Sequence, residues 1–212
     1  MARFETAHLT ESYRRHCEDR IAVIASEERT IIVVADGAGG VGNGDLAAET
    51  VIREVKSDQR DIKTAEGWEA ELRQIDCRIG MGESTAVVAD LRFDSIIGAS
   101  VGDSHAWIIH EGELVDLTVN QNRKPLLGSG DARPIAFSFG PLTGTLIVAT
   151  DGFCNYVKRD QLTRLIAEAN LVEIPRRCVE MVRLPSGDLW DDIGVVACRA
   201  LRPRRPRKQY TI

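Results

Sequence analysis

The stretch Ile31-Ile32-Val33-Val34-Ala35-Asp36-Gly37 decides how this chain is read. Five apolar residues, four of them β-branched, run without a polar break, which is the pattern of a buried strand rather than of one with a face in water. The run then ends abruptly in a carboxylate. The same arrangement recurs at Leu146-Ile147-Val148-Ala149-Thr150, which leads into Asp151-Gly152. Either Asp-Gly alone is an ordinary turn, because Asp bonds its own backbone and Gly accepts positive φ. The pair gains meaning from what surrounds it.

Working outward, short aliphatic runs at Ile21–Ala25, Thr85–Ala89, Ser95–Ser100, Ala106–Ile109 and Ile193–Cys198 also read as strands. Helical spacing appears in Leu46–Val55, in Trp68, Leu72, Ile75 and Ile79, and through Leu162–Ala169 and Ile174–Val182. The order is strands, two helices, a run of strands joined by tight turns such as Glu111-Gly112, two more helices and a closing strand. That is not the alternation of a doubly wound parallel sheet, and it predicts an α+β sandwich. Residues Asp116–Gly144 show no periodicity and read as a long loop. With 212 residues the chain is expected to form one domain over 1–200, followed by a basic, proline-broken tail, 201–212, too polar to pack.

Composition excludes several classes. A net charge of −5 is the opposite of a nucleic-acid or membrane-surface footprint. No apolar run approaches the roughly 20 residues that a membrane-spanning helix needs. The five cysteines form an odd set without a paired motif, and Met1–Thr6 lacks the apolar core of a signal peptide, so a reduced, cytoplasmic protein is expected.

Two further acidic pairs border strands: Glu18-Asp19 before Ile21–Ala25, and Asp191-Asp192 before Ile193–Cys198. If these strands are neighbours, the carboxylates at their ends converge, and like charges that close must be neutralised by cations. Oxygen-only ligation suits Mg²⁺ or Mn²⁺, and two such ions can activate a water while stabilising a phosphoryl oxygen. Zinc fits less well, since His8, His16, His105 and His110 lack metal-ligand spacing and read as structural or exposed.

In this light the chain resembles the metal-dependent serine/threonine protein phosphatases of type 2C, in a compact bacterial-like form. The resemblance rests on six segments in order: Arg14-Arg15-His16-Cys17-Glu18-Asp19, Asp36-Gly37-Ala38-Gly39-Gly40, Ser84-Thr85-Ala86, Gly102-Asp103-Ser104-His105-Ala106, Thr150-Asp151-Gly152-Phe153 and Asp191-Asp192-Ile193-Gly194-Val195. It implies a four-layer α-β-β-α sandwich of two mainly antiparallel sheets with helices on the outer faces. It also implies that Asp36 bridges two ions, with Glu18 and the Gly37 carbonyl on one and Asp151 and Asp191 on the other. Asp19 and Asp192 would stand behind these ligands. Asp103 would serve a weaker third ion, although a hairpin turn accounts for it equally well. Arg14 would hold the substrate phosphate, with Arg15 as the competing candidate. The implied partners are a phosphorylated protein and a cognate serine/threonine kinase. The chain departs from the family at His105 for Arg, Asp192 for Asn, Gly194 for Thr, and in a shorter 116–144 segment beside the site.

Two other readings are open from the sequence. Gly37-Ala38-Gly39-Gly40-Val41-Gly42 satisfies the dinucleotide-binding pattern, but Asp36 would face the pyrophosphate, and the acid expected about 20 residues on does not cap a strand. A non-catalytic relative acting as a protein-interaction module would be expected to have lost a metal ligand, and none is lost.

Overall fold

The computed structural model describes residues 3–13, 15–38, 42–57 and 61–201. The strands are β1 (Phe4–Glu11), β2 (Arg20–Ala25), β3 (Thr30–Ala35), β4 (Ala86–Leu91), β5 (Ile96–Val101), β6 (His105–His110), β7 (Glu113–Asp116), β8 (Ile135–Phe139), β9 (Thr145–Ala149) and β10 (Ile193–Ala200). The helices are α1 (Gly44–Ser57), α2 (Ala65–Arg78), the single turn α3 (Asp151–Cys154), α4 (Arg159–Glu168) and α5 (Ile174–Val182). One sheet runs β1-β10-β9-β6-β7 and the other β2-β3-β4-β5-β8, and every pairing in both is antiparallel.

Strand β3 shows why its sequence is apolar throughout. Ile32 and Val34 point into the layer between the sheets, against Ala106, Ile108, Leu146, Val148 and Val196 of the facing sheet. Ile31, Val33 and Ala35 point the other way, under Val51 of α1 and Trp68, Leu72 and Ile75 of α2. The second sheet repeats the scheme, with Trp107, Ile147, Ala149 and Val195 beneath Leu162 of α4 and Ile174, Cys178 and Val179 of α5. Two sheets between two helical layers give three apolar interfaces, and the strands in the middle must be apolar on both faces.

The expected sandwich, its two antiparallel sheets and its outer helices are therefore observed. The Glu111-Gly112 turn joins β6 to β7 with φ of 51° and 85°, a pair of positive values that suits a tight hairpin. The structure corrects the reading at three places, and the short strand β7 beyond that turn is the first. Strand β1 is absent from the sequence-based list, because Phe4-Glu5-Thr6-Ala7-His8-Leu9-Thr10-Glu11 is a polar edge strand, yet it pairs with β10 along its whole length. Segment 116–144 is not a loop throughout, since β8 lies within it and completes the sheet of β2, β3, β4 and β5 by pairing with β5.

The rest of that segment is tied down by one buried carboxylate. Asp76 of α2, 4% exposed, accepts backbone N–H bonds from Gly128 at 2.6 Å, Gly130 at 3.0 Å and Ala132 at 3.0 Å. Removing the carboxylate takes the acceptor from all three donors at once. Asp76→Ala is expected to cost about 3 kcal/mol of stability, measurable by urea denaturation.

Candidate metal centre

Antiparallel register brings the acids together. Arg20 pairs with Ala35, so Glu18 and Asp19, just before β2, lie beside Asp36, just after β3. Ala149 pairs with both Val195 and His105, so Asp151, just after β9, lies beside Asp191 and Asp192, just before β10, and beside Asp103, just before β6. All of them project from the same end of the sandwich.

Asp36, Asp103 and Asp151 place carboxylate oxygens within 4.8 Å of one another. Glu18, Asp36, Gly37, Asp151, Asp191 and Asp192 line one cleft of about 590 Å³, together with Tyr13, His16, Ala38 and Trp190. Arg14 lies outside the described residues, and Arg15 is exposed.

The main chain at Asp36 is clamped. Its N–H donates to the Thr85 hydroxyl at 3.1 Å, and its carbonyl accepts from the Thr85 N–H at 2.8 Å and the Ser84 hydroxyl at 3.0 Å. Thr85 in turn bonds Ser104 at 2.8 Å. Ser84, Thr85 and Ser104 thus hold the backbone beside which the acids stand. Gly37 packs against the start of α1 so closely that a Cβ there would sit 2.3 Å from the Gly44 carbonyl carbon. Only glycine lets the two backbones meet there, at the edge of the cleft.

Charge crowding is visible in the acidities. Burial, then the neighbouring charges of Asp19 and Asp151, pushes Asp36 well above the usual carboxylate range. Burial, then Asp103 and Asp191, raises Asp151. Burial raises Glu18 as well, with Asp192, Asp45 and Asp191 adding to it. Asp19, 3% exposed, is pushed up to about 7, chiefly by burial, although the Thr150 hydroxyl donates to its Oδ2 at 2.7 Å. Its Oδ1 is buried without a partner. A crowd of hard oxygen donors with raised pKa values, one of them buried and unsatisfied, is what divalent Mn²⁺ or Mg²⁺ would neutralise, so these residues fit such ions.

Around this group the chain's departures acquire roles. Asp192 brackets the strand connection before Glu18. One oxygen accepts from the Tyr13 N–H at 2.7 Å and the Ser12 hydroxyl at 3.3 Å, the other from the Glu18 N–H at 2.6 Å. Both oxygens act as acceptors, which an asparagine cannot match. His105 turns to Asp116 at 3.1 Å; this contact and the Thr118 hydroxyl outweigh burial and hold Asp116 down at about 2. Asp103 is bonded at 2.7 Å by Arg123, so a guanidinium supplies positive charge where a third ion was expected. Arg123 lies 20 residues away in sequence within the irregular segment, and nothing in its surroundings singles it out beforehand. Thr150, which links Asp19 to the Gly194 N–H at 2.8 Å, could have been noticed as the polar end of an apolar strand.

Fold and site define a class of architecture: two antiparallel five-stranded sheets between helices, with strand-end carboxylates at one pole. Particular proteins are similar to this chain in sequence and in fold. The chain is 25% identical over 199 residues to the serine/threonine phosphatase Stp of Listeria welshimeri, covering 72% of this chain and 78% of that one. It is 24% identical over 201 residues to a protein phosphatase 2C-type protein of Streptococcus pyogenes, covering 74% and 81%. Its fold matches the catalytic domain of the serine/threonine protein phosphatase PstP, a structure in complex with two manganese ions, with a TM-score of 0.79 over 95% of this chain and 100% of that one at 18% identity. No family profile matches the chain. The dinucleotide reading is overturned, because β3 lies in a wholly antiparallel sheet and Asp36 points into a crowd of carboxylates.

Two outcomes follow from the geometry. Because the folded-state pKa values of Asp19, Asp36 and Asp151 are raised, ionising these groups destabilises the fold. In EDTA the melting temperature should therefore fall as pH climbs from about 5 to 8, and saturating Mn²⁺ should remove that slope, as read by differential scanning fluorimetry. Asp192→Asn leaves one oxygen to do the work of two and is expected to weaken Mn²⁺ binding by about 10- to 100-fold in calorimetric titration.

Proposed function

We propose that this chain hydrolyses phosphoserine and phosphothreonine in proteins with the help of two Mn²⁺ or Mg²⁺ ions. The observation that carries the reading is the convergence of Asp36, Asp103 and Asp151, with Glu18 and Asp191 on the walls of the same cleft. Asp36 would bridge the ions, Glu18 and the Gly37 carbonyl would complete one, and Asp151 and Asp191 the other. When bound, the ions supply a water acidified enough to attack phosphorus and positive charge for the phosphoryl oxygens. The residues' own share is to hold that charge in place. Ser84 and Thr85 fix the main chain at Asp36, Thr150 fixes Asp19, and Asp192 fixes the approach to Glu18. Arg14 remains the proposed phosphate ligand on the strength of its sequence position.

A serine/threonine kinase that makes the substrate is the expected partner. The five cysteines are all free, which supports a reducing compartment such as the cytoplasm. Among the described residues, no helix is long and apolar enough to cross a membrane. The interaction-module reading is disfavoured by the lining of the cleft, to which Glu18, Asp36, Asp151 and Asp191 contribute, with Asp103 near Asp36 and Asp151.

The test compares two aspartates that look alike in sequence. Asp36→Asn should reduce Mn²⁺-dependent hydrolysis of a phosphothreonine peptide by more than about a hundredfold, while the protein stays folded. Asp103→Asn should retain tight binding of two ions and lose only part of its rate. Turnover that persists undiminished in EDTA would defeat the two-metal mechanism.

A further inference from the structure

The rim of the cleft carries an aromatic pair for which the hydrolytic chemistry has no use. Trp190, which directly precedes Asp191, stacks on Tyr156, with ring centroids 5.4 Å apart and planes 8° from parallel. Both rings stand well out in solvent, Trp190 53% and Tyr156 43% exposed, and Trp190 lines the same cleft as Asp36, Asp151 and Asp191. Single exposed apolar side chains are ordinary on protein surfaces. A pre-stacked pair is different, since each ring fixes the orientation of the other and the outer surface of the stack is apolar.

The pair is also anchored. Leu189, beside Trp190 in the chain, is 4% exposed and packs into the core beneath α5. Tyr156 follows α3, and its N–H donates to the Phe153 carbonyl at 3.2 Å, with Phe153 itself fully buried. Both rings are thus set at short, fixed chain distances from carboxylates of the metal site, Trp190 from Asp191 and Tyr156 from Asp151. Tyr13, 42% exposed, adds a third ring to the same cleft wall.

We propose that Trp190 and Tyr156 form a specificity shelf that receives a bulky apolar side chain next to the phosphorylated residue of the substrate protein. This rests on the phosphatase reading above. The cleft's charged groups face the phosphate and its ions, whereas the shelf offers carbon surface at its edge. A substrate segment laid across the cleft would bury that surface with an apolar neighbour, and an alanine neighbour would leave it wet.

The experiment uses the full chain with Mn²⁺ and a phosphothreonine peptide flanked by alanines, into which one phenylalanine is moved through each position on either side. One position should raise kcat/KM by roughly tenfold, mainly through KM. In Trp190→Ala that preference should collapse to near unity, and Trp190→Phe should restore part of it. A second readout needs no turnover. Trp68 and Trp107 are each 2% exposed, so iodide-quenchable emission reports Trp190. A phosphonate peptide bearing phenylalanine at the favoured position should protect it, and the alanine version should not.

A preference that survives Trp190→Ala, or no preference at any position, overturns the shelf. So does a finding that arginine at that position outperforms phenylalanine, because the face would then be reading charge. Absence of Mn²⁺-dependent hydrolysis even of the alanine-flanked peptide removes the phosphatase reading itself, and is distinguishable from all of these.

Discussion

Mutual repulsion among carboxylates at one pole is the constraint on which the rest of this structure depends. Asp36, Asp103 and Asp151 would not choose to lie within 4.8 Å of one another, and burial makes their company more costly. They are held there because each terminates or precedes a strand whose register is fixed by apolar layers on both sides. The sheets impose the site on the loops. A region so assembled has a built-in demand for cations, and the accessory groups around it, Thr85, Thr150 and Asp192, spend their hydrogen bonds on keeping backbone and carboxylates from drifting apart.

Much of this was legible in the sequence, and for a physical reason. A strand buried on both faces must be apolar without alternation, so β3, β4, β5, β9 and β10 announce themselves, and a charged residue at the end of such a strand stands out. Strand β1 was not legible because it is an edge strand whose partly exposed residues carry no alternation sharp enough to read. Strand β8 was hidden by a surrounding stretch whose order comes from Asp76, more than fifty residues earlier. Local sequence does not report a distant carboxylate.

The same division runs through the site. Glu18, Asp36, Asp151 and Asp191 could be named because their positions relative to strands are local facts. The bracket that Asp192 forms across the chain, the Arg123 bond to Asp103 and the Trp190–Tyr156 stack depend on which loops meet in space. Asp192 shows the difference clearly. Read from the sequence it is an acidic substitute for an expected amide; seen in the fold, both of its oxygens are required.

The bonds from Asp192 to the Glu18 N–H and from Thr150 to Asp19 have one more consequence. Asp192 and Thr150 belong to the sheet that contains β9 and β10, whereas Glu18 and Asp19 lead into the other sheet through β2. These bonds therefore clasp the sandwich at its metal end. The separation of opposing acids is then a matter of sheet spacing, set by the bulk of Ile32, Val34, Leu146, Val148 and Val196 in the interior. The distance across which those acids face one another becomes something that methyl groups far from any oxygen can tune.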